Sequence, residues 1–202
     1  MDLRVYENIK MFVHAETESG EPVDDGTSIF MRLGSDFENN YYEYEIPLTW
    51  SDPSALPAGT STEDYAAEVW RDENTFNFPL ELLIQAKKER NSAGIGLNDI
   101  YEKVDPEKPN NRVSIIGNPN IGYVKGIMIG IRNRADNGAP SCATVWVNEL
   151  RLNGFDERGG VAGLARVDIQ LADFGNLAAS GSFSSIGSVS YTHLTLPTTP
   201  YV

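Results

Sequence analysis

Apolar and polar residues alternate along much of the chain, and a period of two predicts strands. Over residues 3–15 the apolar positions Val5, Ile9, Met11 and Val13 interleave with Arg4, Asn8, Lys10 and His14, as in a half-buried strand. A turn at Asp24-Asp25-Gly26 precedes a second strand, 28–33, with Ile29, Met31 and Leu33 inward. A third, 40–48, sets Tyr42, Tyr44, Ile46 and Leu48 against Tyr41, Glu43 and Glu45, and the polar loop between the two predicts an antiparallel pair. Residues 51–61, rich in Pro, Ser, Ala and Gly, read as a surface loop, and Thr60-x-x-Glu63 as a capping box opening a short helix through Trp70. A second helix is predicted from Pro79, suited to a first helical position, to about Arg90, with Leu80, Leu83 and Ile84 as its apolar face and Lys87, Lys88 and Arg90 near its negative end. Three β-branched runs, 113–116, 121–131 and 143–152, read as core strands divided by Gly117-Asn118-Pro119-Asn120 and Asp136-Asn137-Gly138.

Beyond residue 159 the alternation changes character. Val161, Gly163, Ala165, Val167, Ile169 and Leu171 form one series, and Arg166, Asp168 and Gln170 fall in the other. After a turn at Asp173-Phe174-Gly175-Asn176, Leu177, Ala179, Gly181 and Phe183 alternate with Ala178, Ser180, Ser182 and Ser184. Each arm approaches the roughly 9–11 residues that a tilted transmembrane strand needs. An oily face suits lipid and a polar one an aqueous lumen. A hairpin at the edge of a soluble sheet carries the same alternation, so the pattern alone leaves both readings open.

These elements predict a mainly β fold: an antiparallel β-sandwich, jelly-roll-like, with one or two short helices over residues 1–155. A β-hairpin, incomplete by itself, follows at 156–187, either of the outer-membrane-barrel kind or at the edge of a soluble sheet. A composition of 41% hydrophobic and 22% charged residues in 202 supports one good core. The net charge of −13 is unevenly placed: residues 1–110 hold 23 acidic and 9 basic side chains, the remainder 6 and 7. So acidic a front repels phosphate backbones, which argues against nucleic acid, while calcium or a basic partner would be tolerated. The single cysteine, Cys142, cannot close an internal disulfide and reads as a small buried hydrophobe. There is no apolar run of about 18 residues for a membrane helix. Met1 is followed by Asp2-Leu3-Arg4-Val5 rather than a signal peptide, as an internal methionine would be, so an exported protein would begin upstream.

Catalytic chemistry finds few candidates. The two histidines, His14 in a strand and His193 near the end, cannot supply a serine triad or an ordinary zinc site. Asp24, Asp25, Asp36 and Glu38 could ligate calcium but lack EF-hand spacing, and solvated loop carboxylates are the plainer reading. Gly94-x-Gly96 and Gly159-Gly160-x-x-Gly163 do not follow a strand and open a helix, so they read as turn glycines rather than phosphate cradles. Tyr41, Tyr42, Tyr44, Trp50 and Trp70 could stack on sugars, although aromatics at alternate strand positions usually pack in a core. No catalytic, cofactor-binding or metal-binding residue is assigned, and the chain reads as no enzyme. A secreted jelly-roll carbohydrate-binding module is the alternative reading.

Four phrases carry a resemblance: Leu3-Arg4-Val5-Tyr6-Glu7-Asn8-Ile9-Lys10-Met11-Phe12-Val13-His14-Ala15; Leu33-Gly34-Ser35-Asp36-Phe37-Glu38-Asn39-Asn40-Tyr41-Tyr42-Glu43-Tyr44; Asn118-Pro119-Asn120-Ile121-Gly122; and Trp146-Val147-Asn148-Glu149-Leu150-Arg151-Leu152. Across residues 2–187 the chain resembles the SprA family, also called Sov, the giant outer-membrane translocon of type IX secretion and gliding motility in Bacteroidetes. The resemblance implies a fragment in which a soluble sandwich-like insert, periplasmic or at the cell surface, joins strands of a very large barrel through which folded cargo leaves the periplasm. Arg166, Asp168 and Gln170 are then the lumen-facing candidates, and Val161, Val167, Ile169, Leu171 and Phe183 the lipid-facing ones. The implied partners are other type IX secretion components, secreted cargo proteins and outer-membrane lipid, with no nucleic acid and no small-molecule substrate. Two features depart from the family. The chain is too short to close a barrel, and Val189-Ser190-Tyr191-Thr192-His193-Leu194-Thr195-Leu196-Pro197-Thr198 looks like a translated sequencing-library adapter, which sets 188–202 aside as unstructured.

Overall fold

The period-two segments pair into two antiparallel sheets that share one apolar core. The computed structural model describes residues 1–17, 26–134, 143–155, 162–171 and 175–184, and the chain divides into two units, Met1–Asp156 and Glu157–Val202. In the first unit β1 (Asn8–Thr17) lies between β4 (Phe76–Pro79) and β8 (Ala143–Asn153). The second sheet runs β5 (Tyr101–Val104), β6 (Arg112–Ile116), β3 (Tyr41–Pro47), β2 (Thr27–Gly34) and β7 (Gly126–Asn133). The pairings β1 with β8, β2 with β7 and β3 with β6 nest as in a jelly roll. The departure is a direct β2–β3 hairpin, which leaves sheets of three and five strands.

Ile9, Met11 and Val13 of β1 and Phe76 and Phe78 of β4 meet Ile29, Met31, Leu33, Tyr42, Tyr44, Ile46, Val113 and Ile115 of the other sheet, none more than 2% exposed. The Tyr44 ring stacks on Phe78 with centroids 4.0 Å apart, which fixes the sheet separation at that point. Between the sheets' ends, α2 (Leu80–Ser92) leaves β4 directly and lays Leu80, Leu82, Leu83 and Ala86 over the core. Pro79 stands at the cap, one residue before its predicted place, where its missing N–H costs nothing. Ile84 is only partly buried. Arg90 stands in the last turn, near the negative end of the helix as predicted, and is fully buried, donating to the Gly117 carbonyl and to Asn91 Oδ1.

Several expectations shift. The first strand begins at Asn8, because Tyr6 N–H turns back onto the Leu3 carbonyl (3.1 Å) and Leu3, rather than Val5, enters the core. The short helix α1 (Thr62–Val69) is capped by Ser61, whose Oγ accepts from Asp64 N–H (3.1 Å) and donates to the Asp64 carboxylate (2.7 Å). Thr60 is unavailable for that role because its hydroxyl already donates to the Pro57 carbonyl (2.7 Å). The run 121–131 splits into a tight turn, Ile121–Tyr123, capped by Asn120, and then β7. Neither β7 nor β8 is a core strand: both are sheet edges with half-exposed apolar residues. The predicted turns at Asp24-Asp25 and Asp136-Asn137-Gly138, the tail from 188, and Cys142 lie outside the described residues.

Residues 117–124 tie four parts of the chain together. The Pro119 carbonyl accepts from Tyr42 Oη (3.0 Å) and Lys87 Nζ (2.7 Å), Asn118 N–H donates to Asn40 Oδ1 (2.7 Å), and the first residues bond to Ile121 and Val124. Gly117 sits at φ +73°, and a Cβ there would collide with the Asn39 carbonyl. Gly117→Ala is therefore expected to lower stability by about 2–4 kcal/mol, combining left-handed strain with a backbone clash, read by urea unfolding followed through tryptophan fluorescence.

A β-bulge interrupts the β1–β8 ladder. Lys10 faces Arg151 and Phe12 faces Asn148, so Glu149 and Leu150 together oppose Met11. Glu149 takes φ +55°, the left-handed conformation that glycine usually fills in such a bulge. In the same assay Glu149→Gly is expected to be neutral or stabilising by up to about 1 kcal/mol, and Glu149→Val destabilising by about 1–2 kcal/mol, since a β-branched side chain is the least tolerant of that conformation.

Candidate functional site

The second unit's described residues form one hairpin, β9 (Ala162–Leu171) with β10 (Gly175–Ser184), each strand ten residues long. Val167 opposes Ala179, Ile169 opposes Leu177 and Gly163 opposes Phe183; in the other parity Arg166 opposes Ser180 and Asp168 opposes Ala178. Residues directly opposite share a face, so Val167, Ile169, Leu177 and Phe183 stand on one side and Arg166 and Asp168 on the other. Arg166 and Asp168 pair at 2.9 Å along their strand. The apolar face is uncovered, with Val167 53%, Ile169 43%, Leu177 56% and Phe183 66% exposed. Leu164, absent from the predicted set, stands on the polar side opposite Ser182 and is almost fully exposed. Gln170 and Leu171 are placed by backbone register alone, opposite Asn176 and Gly175, so those two turn residues already belong to β10. Val161, Gly159, Gly160, Asp173 and Phe174 lie outside the described residues.

The five-stranded sheet buries charge on the face opposite its core. Glu43 and Glu45 of β3 are only 3% exposed. Arg32 Nε donates to Glu43 (2.6 Å), Arg132 reaches across β2 to both carboxylates, and Arg134 Nε donates to Glu45 (2.5 Å). Space for that reach comes from small neighbours: Ser28, which donates to Glu45 (2.6 Å), and Gly130, over which Phe30 lies. Phe30 takes the Arg32 and Arg132 guanidinium groups at 4.9 and 4.7 Å. Burial would raise the Glu45 carboxyl, but its bonds to Arg134 and Ser28 and the charge of Arg132 outweigh that and hold it below the usual range. The spacing Glu43-x-Glu45 against Arg132-x-Arg134, opposite signs at strand period, was the available sequence signal.

The aromatic platform does not form. Tyr42 and Tyr44 are core residues, and burial pushes the Tyr42 phenol up to about 12. Tyr41 is buried beneath Arg32 at 4.1 Å, and Trp70 packs edge-on against Phe12. The carbohydrate-binding alternative thus loses its proposed face, because both sides of β3 are occupied. His14 is a packing residue: Nδ1 lies 2.6 Å from the Val69 carbonyl and the ring stacks on Trp146 at 5.0 Å. Asp36 spends its Oδ1 on the N–H groups of Glu38, Asn39 and Asn40, which hold its carboxyl below the usual range. Among the described residues no group of three or more acidic, histidine or cysteine side chains could hold a metal, and Asp24 and Asp25 lie outside them. No described helix is long and apolar enough to cross a membrane.

The SprA_N family model, described as a motility related/secretion protein, matches residues 1–194 and so takes in both units. The chain belongs to this family. Membership makes it a motility- or secretion-related protein. The SprA phrases fall on defined parts of the fold: residues 33–44 on the β2–β3 hairpin, 118–122 on the tying loop and 146–152 on the bulged edge of β8. No curated protein matches the chain.

The depressed Glu45 carboxyl sets a pH dependence. Its contribution to stability is complete above the unfolded carboxyl's value, about 4.3, and is lost as pH falls through the lower folded value. Urea midpoints measured from pH 6 to pH 3 should fall less steeply in Glu45→Gln than in the unaltered chain, and the variant should already be weaker at pH 6.

Proposed function

We propose that this chain is a non-enzymatic part of the outer-membrane translocon for type IX protein secretion and gliding motility. In this reading the sandwich unit braces or gates a barrel, at its periplasmic side or at the cell surface, and β9 and β10 belong to the barrel wall. The hairpin's two-faced register supports it: a continuous apolar face that no described residue covers, backed by a face carrying an ion pair and serines. A lone two-stranded hairpin is marginal in water, so both its edges call for further strands and its oily face for lipid. The role is steric and electrostatic. Arg166 and Asp168 keep the conduit wall wet, the acidic sandwich discourages sticking of cargo, and the partners are other type IX components, secreted cargo and outer-membrane lipid.

The test compares faces in the full-length protein. Val167→Arg puts a cation on the lipid side, costing about 2–4 kcal/mol near the bilayer midplane, whereas Ser180→Arg puts it on the wet side. Outer-membrane fractionation with a tag in the sandwich should show the assembled product depleted for Val167→Arg and normal for Ser180→Arg. Equal tolerance of the two, or a product that stays soluble, overturns the wall assignment.

A further inference from the structure

Among the described residues the sandwich is closed on one side and open on the other. On the β4 and β5 side, α2 covers the core and the short edge strand β4 keeps Phe76 and Phe78 at 1% exposure or less. On the β7 and β8 side, rows that start buried end in water. Val13 is fully buried and its cross-strand partner Val147 is 45% exposed; Ile29 is fully buried and its partner Ile131 is 51% exposed. Ile129, opposite Met31, and Leu150, brought into line by the bulge, are likewise half-exposed. These side chains share the faces of core residues, so the core is cut through rather than finished.

We propose that an extended strand of a partner protein completes this side, adding to the free edge of β8 and presenting apolar residues at alternate positions to Val147, Leu150, Ile129 and Ile131. The choice of a strand follows from the backbone. β8 is eleven residues long and, among the described residues, pairs with β1 alone. Covering Val147 and Leu150 also takes the outward N–H and C=O groups of that edge from water, and each left unpaired costs about 1–3 kcal/mol. A helix or a lipid chain leaves them unpaired, whereas a strand satisfies them while its side chains fill the apolar row.

The edge also states the partner's charge. Exposed edges are commonly blunted with lysine, proline or inward charge, yet residues 143–148 carry none of these, and the two charges farther along, Glu149 and Arg151, pair with each other. A charge on the added strand would be desolvated against Val147 and Ile131 without a counter-ion, so the partner segment is uncharged there. On the outer face Trp146, 46% exposed and held against His14, offers an aromatic seat to the strand's other side. This inference stands apart from the assignment of β9 and β10 to a barrel wall.

Hydrogen exchange on the full-length protein isolated from its native host tests it. Nearly all amides of 143–153 should be protected, not only those bonded to β1. In a Val147→Lys, Ile131→Lys variant the outward-facing half should exchange at least about 100-fold faster. Slow exchange over residues 41–47 in the variant shows that it is folded. Four results overturn the proposal: outward amides exchanging within seconds in the unaltered protein, as at a free edge; fast outward amides while a cysteine at position 147 is shielded from a water-soluble thiol reagent, as beneath a helix or lipid; protection that persists after every co-purifying protein has been stripped away, as beneath another strand of the same chain; or protection that survives both lysines.

Discussion

The first unit depends on a strand that is buried on both faces. β3 gives Tyr42, Tyr44 and Ile46 to the core and Glu43 and Glu45 to a layer of arginines, and it lies at the centre of the five-stranded sheet. Buried carboxylates are tolerable only where their desolvation is answered by close, well-directed donors. Here the donors come from far along the chain: Arg132 and Arg134 are 87–89 residues from their glutamates. The charge asymmetry of the sequence therefore acts across the sheet. Acidic residues of the front part close against basic residues of the rear, and β7 is held to the sheet by ion pairs as well as by its ladder with β2.

Alternation made β2 and β3 legible because their inward residues, Ile29 to Leu33 and Tyr42 to Ile46, keep strict parity with the core. It could not say what lay on the second face. Tyr41 beside Tyr42 and Tyr44 suggested an exposed platform only because period two identifies two faces without saying whether either one is wet. β4 and β5 leave little mark on the sequence, since four residues give two alternations and Phe76 and Phe78 lie too close to the next helix to stand out. The runs at β7 and β8 looked like core strands by composition. Their edge position depends on strand order, which no local window contains. In the hairpin the parity of Val167 and Ile169 against Arg166 and Asp168 was readable, and the exception, Leu164, emerged only with the register.

Two of the phrases that carry the resemblance fix backbone. Gly34 sits where a Cβ would strike the Asn40 carbonyl, as the neighbouring Gly117 does against Asn39, Asn40 Oδ1 receives Asn118 N–H, and Asn120 caps the turn that carries Ile121 into the core. Glycine and asparagine are the residues that tight, close-packed backbone admits. A signature made of them reports a fold with high fidelity and says little about chemistry. The chemistry-bearing side chains, the arginines over β3 and the apolar rows of β8 and β9, lie at ordinary strand positions where alternation is their only mark.

Among the described residues both units leave apolar rows in water beside unpaired strand edges, and they do so differently. In the sandwich the rows run on from the core, so the half-exposed residues sit beside fully buried neighbours, and the proposed strand would complete them. The described residues of the hairpin form no core: Val167, Ile169, Leu177 and Phe183 are exposed along with the face behind them, and both strands lack outer neighbours among the described residues. A missing strand would repair the first surface, but added strands alone would only lengthen the second. An oily face that widens with every strand added needs a cover that widens with it, which in the proposed wall is lipid.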